Sequence, residues 1–350
     1  MSKKINILLN TDPLNNANAY RGVGMYTKYL FEYLQKIDSL KIVKSTSVQA
    51  KSFNPDVVHF PFFDLFFTTL PVINARKTVV TIHDVIPLIF PKHYPAGVKG
   101  SLALKQQQMA LKTVEAVITD SKASKKDIAQ HLGYSQERIH VIPLAGNPNI
   151  KQASQKEIQR VRKKYQLPKE YVLYVGDINY NKNIPQLIKA IKYLPKQISL
   201  VLVGKNFKEQ NIPEWQWIQT QIELSNVSDR VCMINNIQAN DDSELSAIYS
   251  GAFCYVQPSL YEGFGLPILE AMQAKTPVVS CQNSSLLEVG AGNVVYTDCN
   301  AESIADGVKQ VVAWTDEKRA EVIEQALSWA NTFSWDKTAQ ETYELYQSLL

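Results

Sequence analysis

A chain of 350 residues, 45% hydrophobic and 20% charged, is too long for one ordinary core and too average in composition for a disordered or fibrous protein; two domains, and a cleft with them, are expected. The net charge is +4, but residues 1–165 carry 24 Lys and Arg against 11 Asp and Glu, and the remainder 13 against 22. No helix-turn-helix, zinc-finger or RNA-recognition pattern accompanies the basic half, which excludes nucleic acid and leaves an anionic membrane surface or a phosphorylated acceptor as its partner.

Ile5–Leu9 reads as a first buried strand, too short an apolar run for a signal peptide or a membrane span. The Asn-rich loop of residues 11–21 follows and carries Gly22-Val23-Gly24. Behind it Met25, Tyr29, Leu30, Tyr33, Leu34 and Ile37 recur at helical spacing, predicting a helix from about 25 to 37. Strand, glycine loop and helix make the phosphate-facing unit of a doubly wound sheet, so Gly22 and Gly24 are candidates for close approach to a phosphate; a simple tight turn would use the same residues. Residues 60–70, FPFFDLFFTTL, hold five phenylalanines, which either fill a core or face a membrane. Residues 79–87 read as a buried strand ending in His83-Asp84, which puts that histidine at a carboxyl end, where open sheets bind ligands. His59, His93, His131 and His140 have no comparable context. Helices are predicted over 99–112 and 122–132, the second capped by Ser121 and stopped at Gly133, and the turn-rich Ala145-Gly146-Asn147-Pro148-Asn149 marks an interdomain linker.

The pattern restarts with the strand Tyr171–Gly176, a loop over 177–183 and a helix from about 184 to 193, hence a second Rossmann-like domain. Lys182 stands at that helix start, where a merely solvated lysine would be equally ordinary. Cys232, Cys254, Cys281 and Cys299 lack C-x-x-C spacing, predicting free thiols in a reduced, cytoplasmic protein without structural zinc. A strand over 252–257 delivers PSLYEGFGLPILEAMQAKTP, residues 258–277, in which Glu262 and Glu270 lie eight positions apart around Gly263, Phe264, Gly265, Leu266 and Pro267. Glycines let backbone come close to a ligand and Pro267 suits a first helical turn. The amides of 263–267 are therefore expected to point outward at a helix N-terminus as an anion site, with Glu262 a free carboxylate before it and Glu270 an exposed one within the helix.

This stretch resembles the E-x7-E signature of retaining glycosyltransferases with the GT-B architecture, the family-4 or glycosyl transferases group 1 type. The resemblance covers essentially the whole chain, is strongest over 253–289 and weakens before 75. It implies an α/β fold of two Rossmann-like domains facing each other across a cleft: 1–147 on the acceptor side, 148–331 binding the nucleotide-sugar, and 332–350 a helix crossing back to the first domain. It implies a retaining, metal-independent hexosyltransferase that moves a sugar from a nucleotide-diphosphate sugar, GDP-mannose by preference, to a sugar or lipid-linked acceptor in surface polysaccharide or glycolipid assembly, at the inner face of the membrane. By the same resemblance His83 and Glu262 are catalytic and contact the transferred sugar, Glu270 holds the ribose, and Gly22, Gly24, Lys182, Gly263, Phe264, Gly265 and Leu266 bind the donor. No D-x-D pair occurs, so neither a metal nor another cofactor is expected. The chain departs from the family where Asn181 or Asp177 occupies the place of a phosphate-site arginine. A non-catalytic GT-B partner subunit, or a phosphorylase or epimerase on the same fold, are the alternatives.

Overall fold

A computed structural model describes residues 4–16, 19, 22–46, 54–71, 77–237 and 241–350; the Arg21 end of the first loop lies outside these. The chain divides into two compact units, Met1–Leu144 with Phe333–Leu350, and Ala145–Thr332. Among the described residues no helix is long and apolar enough to cross a membrane.

The first unit runs β1 (Ile5–Asn10), α1 (Gly22–Leu34), β2 (Leu40–Ser45), β3 (Val57–Phe60), β4 (Lys77–Thr81), α2 (Ile86–Ile89), α3 (Gly97–Leu111), β5 (Ala116–Thr119), α4 (Lys122–Leu132) and β6 (Ile139–Val141). The strands form one parallel sheet in the order β2-β1-β3-β4-β5-β6. Helices cover both faces of such a sheet, which is why β3, β4 and β5 are buried at successive rather than alternate positions, Lys77 excepted. The closing helix of the chain, Trp335–Ser348, belongs to this unit: Trp335 stacks obliquely on Tyr29 at 5.3 Å, and the Tyr346 hydroxyl is 2.6 Å from His59 Nδ1.

Two local expectations are corrected here, and one open alternative is decided. The first helix starts at Gly22, not near Met25, so Gly22 and Gly24 belong to its opening turn rather than to a loop, and Thr27 Oγ1 donates to the Val23 carbonyl at 2.8 Å one turn back. The strand expected over 79–87 ends at Thr81, and Pro87 sits in the opening turn of α2, where a missing N–H costs nothing. The phenylalanine run is largely core, with Phe60 and Phe63 buried, while Phe67 remains 72% exposed.

The second unit runs α5 (Gln155–Tyr165), β7 (Glu170–Val175), α6 (Ile184–Ile191), β8 (Ile198–Val203), α7 (Pro213–Ser225), β9 (Val231–Ile234), α8 (Asp242–Ser250), β10 (Cys254–Gln257), α9 (Leu266–Gln273), β11 (Val278–Cys281), α10 (Leu286–Gly290), β12 (Val295–Thr297), α11 (Ala301–Val312) and α12 (Asp316–Ala330). A capping box between Ser154 and Glu157 starts α5. The sheet is again parallel, in the order β12-β11-β10-β7-β8-β9. From β7 the chain winds outward through β8 and β9, then returns to place β10 on the other side of β7. The carboxyl ends of β7 and β10 therefore flank a switch point, the place where an open α/β sheet leaves a crevice for a ligand.

Candidate functional site

In the second unit the two loops leaving that switch point are stapled together. Loop 177–183 follows β7 and loop 258–265 follows β10. Asn181 accepts the Leu260 N–H on its carbonyl at 2.8 Å and donates its side-chain amide to the Tyr261 carbonyl at 2.9 Å. Asn183, at φ 57°, donates to the carbonyls of Pro258 and Cys299, each at 2.9 Å. Asn181 is thus buried structure rather than a substitute for a phosphate-binding arginine. Asp177 accepts from the Ile178 N–H and from Asn206.

This stapling brings Lys182 to Glu262. The ammonium lies 2.8 Å from both carboxylate oxygens, and Glu262 Oε1 also accepts from Ser259 Oγ at 2.6 Å and Gln257 Nε2 at 2.9 Å. Gln257 is held in turn by the Tyr255 hydroxyl. Only 7% of Glu262 is exposed, so the expectation of a free carboxylate does not hold. A buried charge requires a partner and filled lone pairs, and this one has both.

The turn after Glu262 is closed from α10. The Glu262 N–H donates to Ser284 Oγ at 3.0 Å, and Ser285 Oγ lies 2.9 Å from the carbonyls of both Glu262 and Phe264. Gly263 and Phe264 are buried within it, and Leu266 opens α9. Gly265 caps that helix at φ 109°, where a Cβ would come within 2.9 Å of Leu286 Cδ2, so glycine is required there on two counts.

Glu270, in the second turn of α9, departs furthest from expectation. It is 7% exposed rather than on an open helix face. Its Oε2 accepts from the Tyr249 hydroxyl of α8 at 3.0 Å, and the Asn147 N–H also bonds the carboxyl. The Asn147 side chain donates to Asp242 at 2.8 Å. Burial pushes the Glu270 carboxyl up to about 7, reinforced by the Asp242 charge and opposed by the two hydrogen bonds. The two glutamates of the motif are therefore unlike: one is an ion-paired anion, the other is poised to lose a proton near neutrality.

In the first unit His83 follows β4. Its Nδ1–H donates to Asp120 Oδ2 at 2.7 Å, its Nε2 faces the Pro61 carbonyl at 3.3 Å, and Tyr26 of α1 meets its ring edge-on at 4.8 Å. Both ring nitrogens face acceptors, an arrangement that a doubly protonated imidazole satisfies in full. Burial disfavours that charge, but the Asp120 carboxylate and its hydrogen bond, with Asp84 and the Pro61 carbonyl, outweigh it and hold the imidazole above its ordinary 6.5. His59, by contrast, is fully buried between Tyr346 and Thr81, and burial drives it down to about 3, which makes it a structural group.

Sequence reasoning missed Asp120, Gln257, Ser259, Tyr249 and Asn147. Ser259 lay inside the motif, but the others reach the site from elements whose pairing only the fold reveals. Among the described residues no cluster of three or more His, Cys, Asp or Glu is arranged to hold a metal ion.

Residues 155–329 match the family model described as glycosyl transferases group 1, and residues 7–148 match the one described as glycosyltransferase family 4. The chain is 30% identical over 282 residues to the O-antigen chain mannosyltransferase B of Escherichia coli, covering 79% of this chain and 71% of that protein. It is 28% identical over 310 residues to the serotype-specific mannosyltransferase WbdA of Escherichia coli, covering 85% of this chain but only 37% of WbdA. Among solved structures, the sucrose-phosphate synthase of Thermosynechococcus elongatus superposes with a TM-score of 0.75 over 99% of both chains at 19% identity, a likeness of fold.

Proposed function

The chain belongs to the glycosyl transferases group 1 family and has its GT-B architecture, and from that premise we propose that it is a retaining, metal-independent glycosyltransferase of surface polysaccharide assembly. The second unit would hold a nucleotide-diphosphate sugar, with GDP-mannose the favoured donor given the mannosyltransferases among its relatives, and the first would bind a sugar or lipid-linked acceptor at an anionic membrane surface. The observation that carries this reading is the buried Lys182–Glu262 pair at the switch point of the second sheet.

In the transfer, the bond from the anomeric carbon to the diphosphate oxygen breaks and a bond to the acceptor oxygen forms. The acceptor's proton leaves on the departing phosphate. Negative charge grows on the leaving group, and a lysine already oriented by Glu262 can meet it without reorganising. Glu270 would accept from the ribose hydroxyls, Glu262 from the sugar hydroxyls, and a protonated His83 would donate to a sugar oxygen. Gly22 and Gly24, at the opening turn of α1, and the turn from Gly263 to Leu266 would supply backbone amides to the donor.

The test incubates the purified chain with GDP-mannose or UDP-glucose, with and without a mannose-containing acceptor and with a chelator present. Nucleoside diphosphate release and the anomeric configuration of the product are read. An inverted product overturns retention, and loss of activity to the chelator overturns metal independence. The lack of an arginine in loop 177–183 favours a second reading, a non-catalytic partner subunit; for that reading no donor would be consumed.

A further inference from the structure

The helix α3 carries apolar residues on two faces. Ala110 and Leu111 point into the core, and the fully buried Gln107 donates to the Asp64 carbonyl at 2.8 Å and to Thr69 Oγ1 at 2.9 Å while accepting the Leu70 N–H at 2.9 Å, clamping loop 64–70 along the helix. On the outside, Val98 is 88% exposed, Leu102 58% and Met109 59%. Positions 98, 102 and 109 are spaced by four and seven, so at 100° per residue they form one narrow outward stripe. Phe67 stands beside it. Its neighbour Phe66 packs so closely on Gly100 that a Cβ there would lie 3.2 Å from the Phe66 Cβ, and Thr68 Oγ1 is 3.5 Å from Gln106 Oε1.

The charges on α3 all have one sign, while in the neighbouring loop Asp64 accepts the Phe67 N–H at 3.0 Å. Lys99, Lys105 and Lys112 flank the stripe, Lys92 precedes it, and all four are exposed. Among the described residues none of these lysines has an acidic partner, and α3 contains no Asp or Glu. Exposed apolar side chains in a row on a helix whose only charges are lysines disfavour a second copy of the chain, since a twofold contact would set lysine against lysine. They suit a plane that is apolar inside and anionic at its boundary.

We propose that the outward face of α3, with Val98, Leu102, Met109 and the neighbouring Phe67 set among Lys92, Lys99, Lys105 and Lys112, is the surface by which the first unit docks on an anionic lipid bilayer. The aromatic run that drew attention in the sequence contributes only Phe67; the rest of the contact comes from a helix whose outer residues were hidden among lysines. Lysine ammoniums meet lipid phosphates while the apolar stripe enters the headgroup boundary. The proposal rests on the reading of the chain as a membrane-proximal transferase and names the residues for it.

Vesicles of phosphatidylcholine alone, and of phosphatidylcholine with phosphatidylglycerol, are co-sedimented with the whole chain at low and high salt. The parent should pellet with the anionic vesicles, less so as salt rises, and stay in the supernatant when the vesicles are neutral. Lys105→Glu should weaken binding by more than the roughly fivefold expected for each lysine charge lost near the surface. Leu102→Glu should weaken it at both salt concentrations. Each variant's thermal transition is compared with the parent's, and the exposure of these side chains predicts no change. Absence of binding by the parent in every lipid overturns the proposal and points to an acidic protein partner instead. Sedimentation of the parent as an oligomer that Leu102→Glu dissolves overturns it in favour of a contact between copies. A thermal shift with nucleotide-sugar, taken without vesicles, separates the two readings: a shift without vesicle binding sinks the docking surface alone, and vesicle binding without a shift sinks the donor site alone.

Discussion

Glu270 makes the fold and the donor site depend on pH in a way that can be worked out from its surroundings. Burial raises its carboxyl from 4.5 to about 7, and at about 1.36 kcal/mol per tenfold change in proton affinity this corresponds to about 3 kcal/mol in favour of the protonated form. The folded state therefore binds the proton more tightly than the unfolded chain. Below 4.5 both states are protonated and nothing is lost; as pH rises from 4.5 to 7 only the unfolded chain ionises, and stability falls by up to about 1.4 kcal/mol per pH unit until the folded carboxyl ionises too. Glu270→Gln keeps an acceptor for the Tyr249 hydroxyl but cannot ionise. Its stability relative to the parent should rise by about 2–3 kcal/mol between pH 5 and pH 8, measured by urea unfolding; a difference that stays flat over that range refutes the burial argument. A nucleoside diphosphate gives a second readout. Ribose hydroxyls donate, so they require the carboxylate, and binding at pH 6.5 should expel a proton, detected by calorimetry in two buffers of different ionisation enthalpy. No proton release, together with unchanged affinity in Glu270→Gln, would remove Glu270 from the ligand's contacts.

Lys182→Met leaves the Glu262 carboxylate buried without its cation and should cost about 3–5 kcal/mol, whereas the pair Lys182→Met with Glu262→Gln should recover most of that loss while nucleoside diphosphate binding stays weak; unfolding and calorimetry on both variants check it. Asp120→Asn removes the largest of the influences that together outweigh burial at His83, so the imidazole should titrate lower than in the parent, followed by NMR. Because the parent's His83 is raised above 6.5, its contribution to stability is present below that pH and fades as pH rises through its folded value; an unmoved His83 titration would show that Asp120 does not set its charge.

The two-sheet architecture was legible because its signals are local: apolar runs of four to six residues, Gly or Asn at the helix ends, and a turn-rich Ala145–Asn149 segment adjoining the observed division at Leu144. The strand β2 and the helix α7 escaped because neither advertises itself. Lys41 and Lys44 interrupt the apolar pattern of the first, and the second mixes two tryptophans with glutamines and glutamates. The phenylalanine run was ambiguous for a related reason. Composition cannot tell Phe63, which turns inward, from Phe67, which does not, and only the clamp from Gln107, some forty residues away, decides it. His83 could be found from its place after a strand, yet Asp120 arrives from β5, and no spacing in the chain links the two.

The motif shows most clearly where spacing stops being informative. Glu262 and Glu270 look equivalent in sequence, two acids around a glycine turn, and both were expected to be accessible. Their fates diverge because different partners reach them. β7 pairs with β10, so the loop after β7 delivers Lys182 to Glu262, and the asparagines on either side of that lysine hold the two loops in register. Glu270 instead faces α8 and the 145–149 segment, which offer a tyrosine hydroxyl, a backbone amide and a neighbouring aspartate. An acid supplied with a cation stays charged at little cost, while one supplied with hydrogen bonds and a like charge retains its proton towards neutrality. Strand order, rather than the eight-residue interval, therefore sets the partners of each glutamate, and it does so through residues that no reading of the motif alone would have selected.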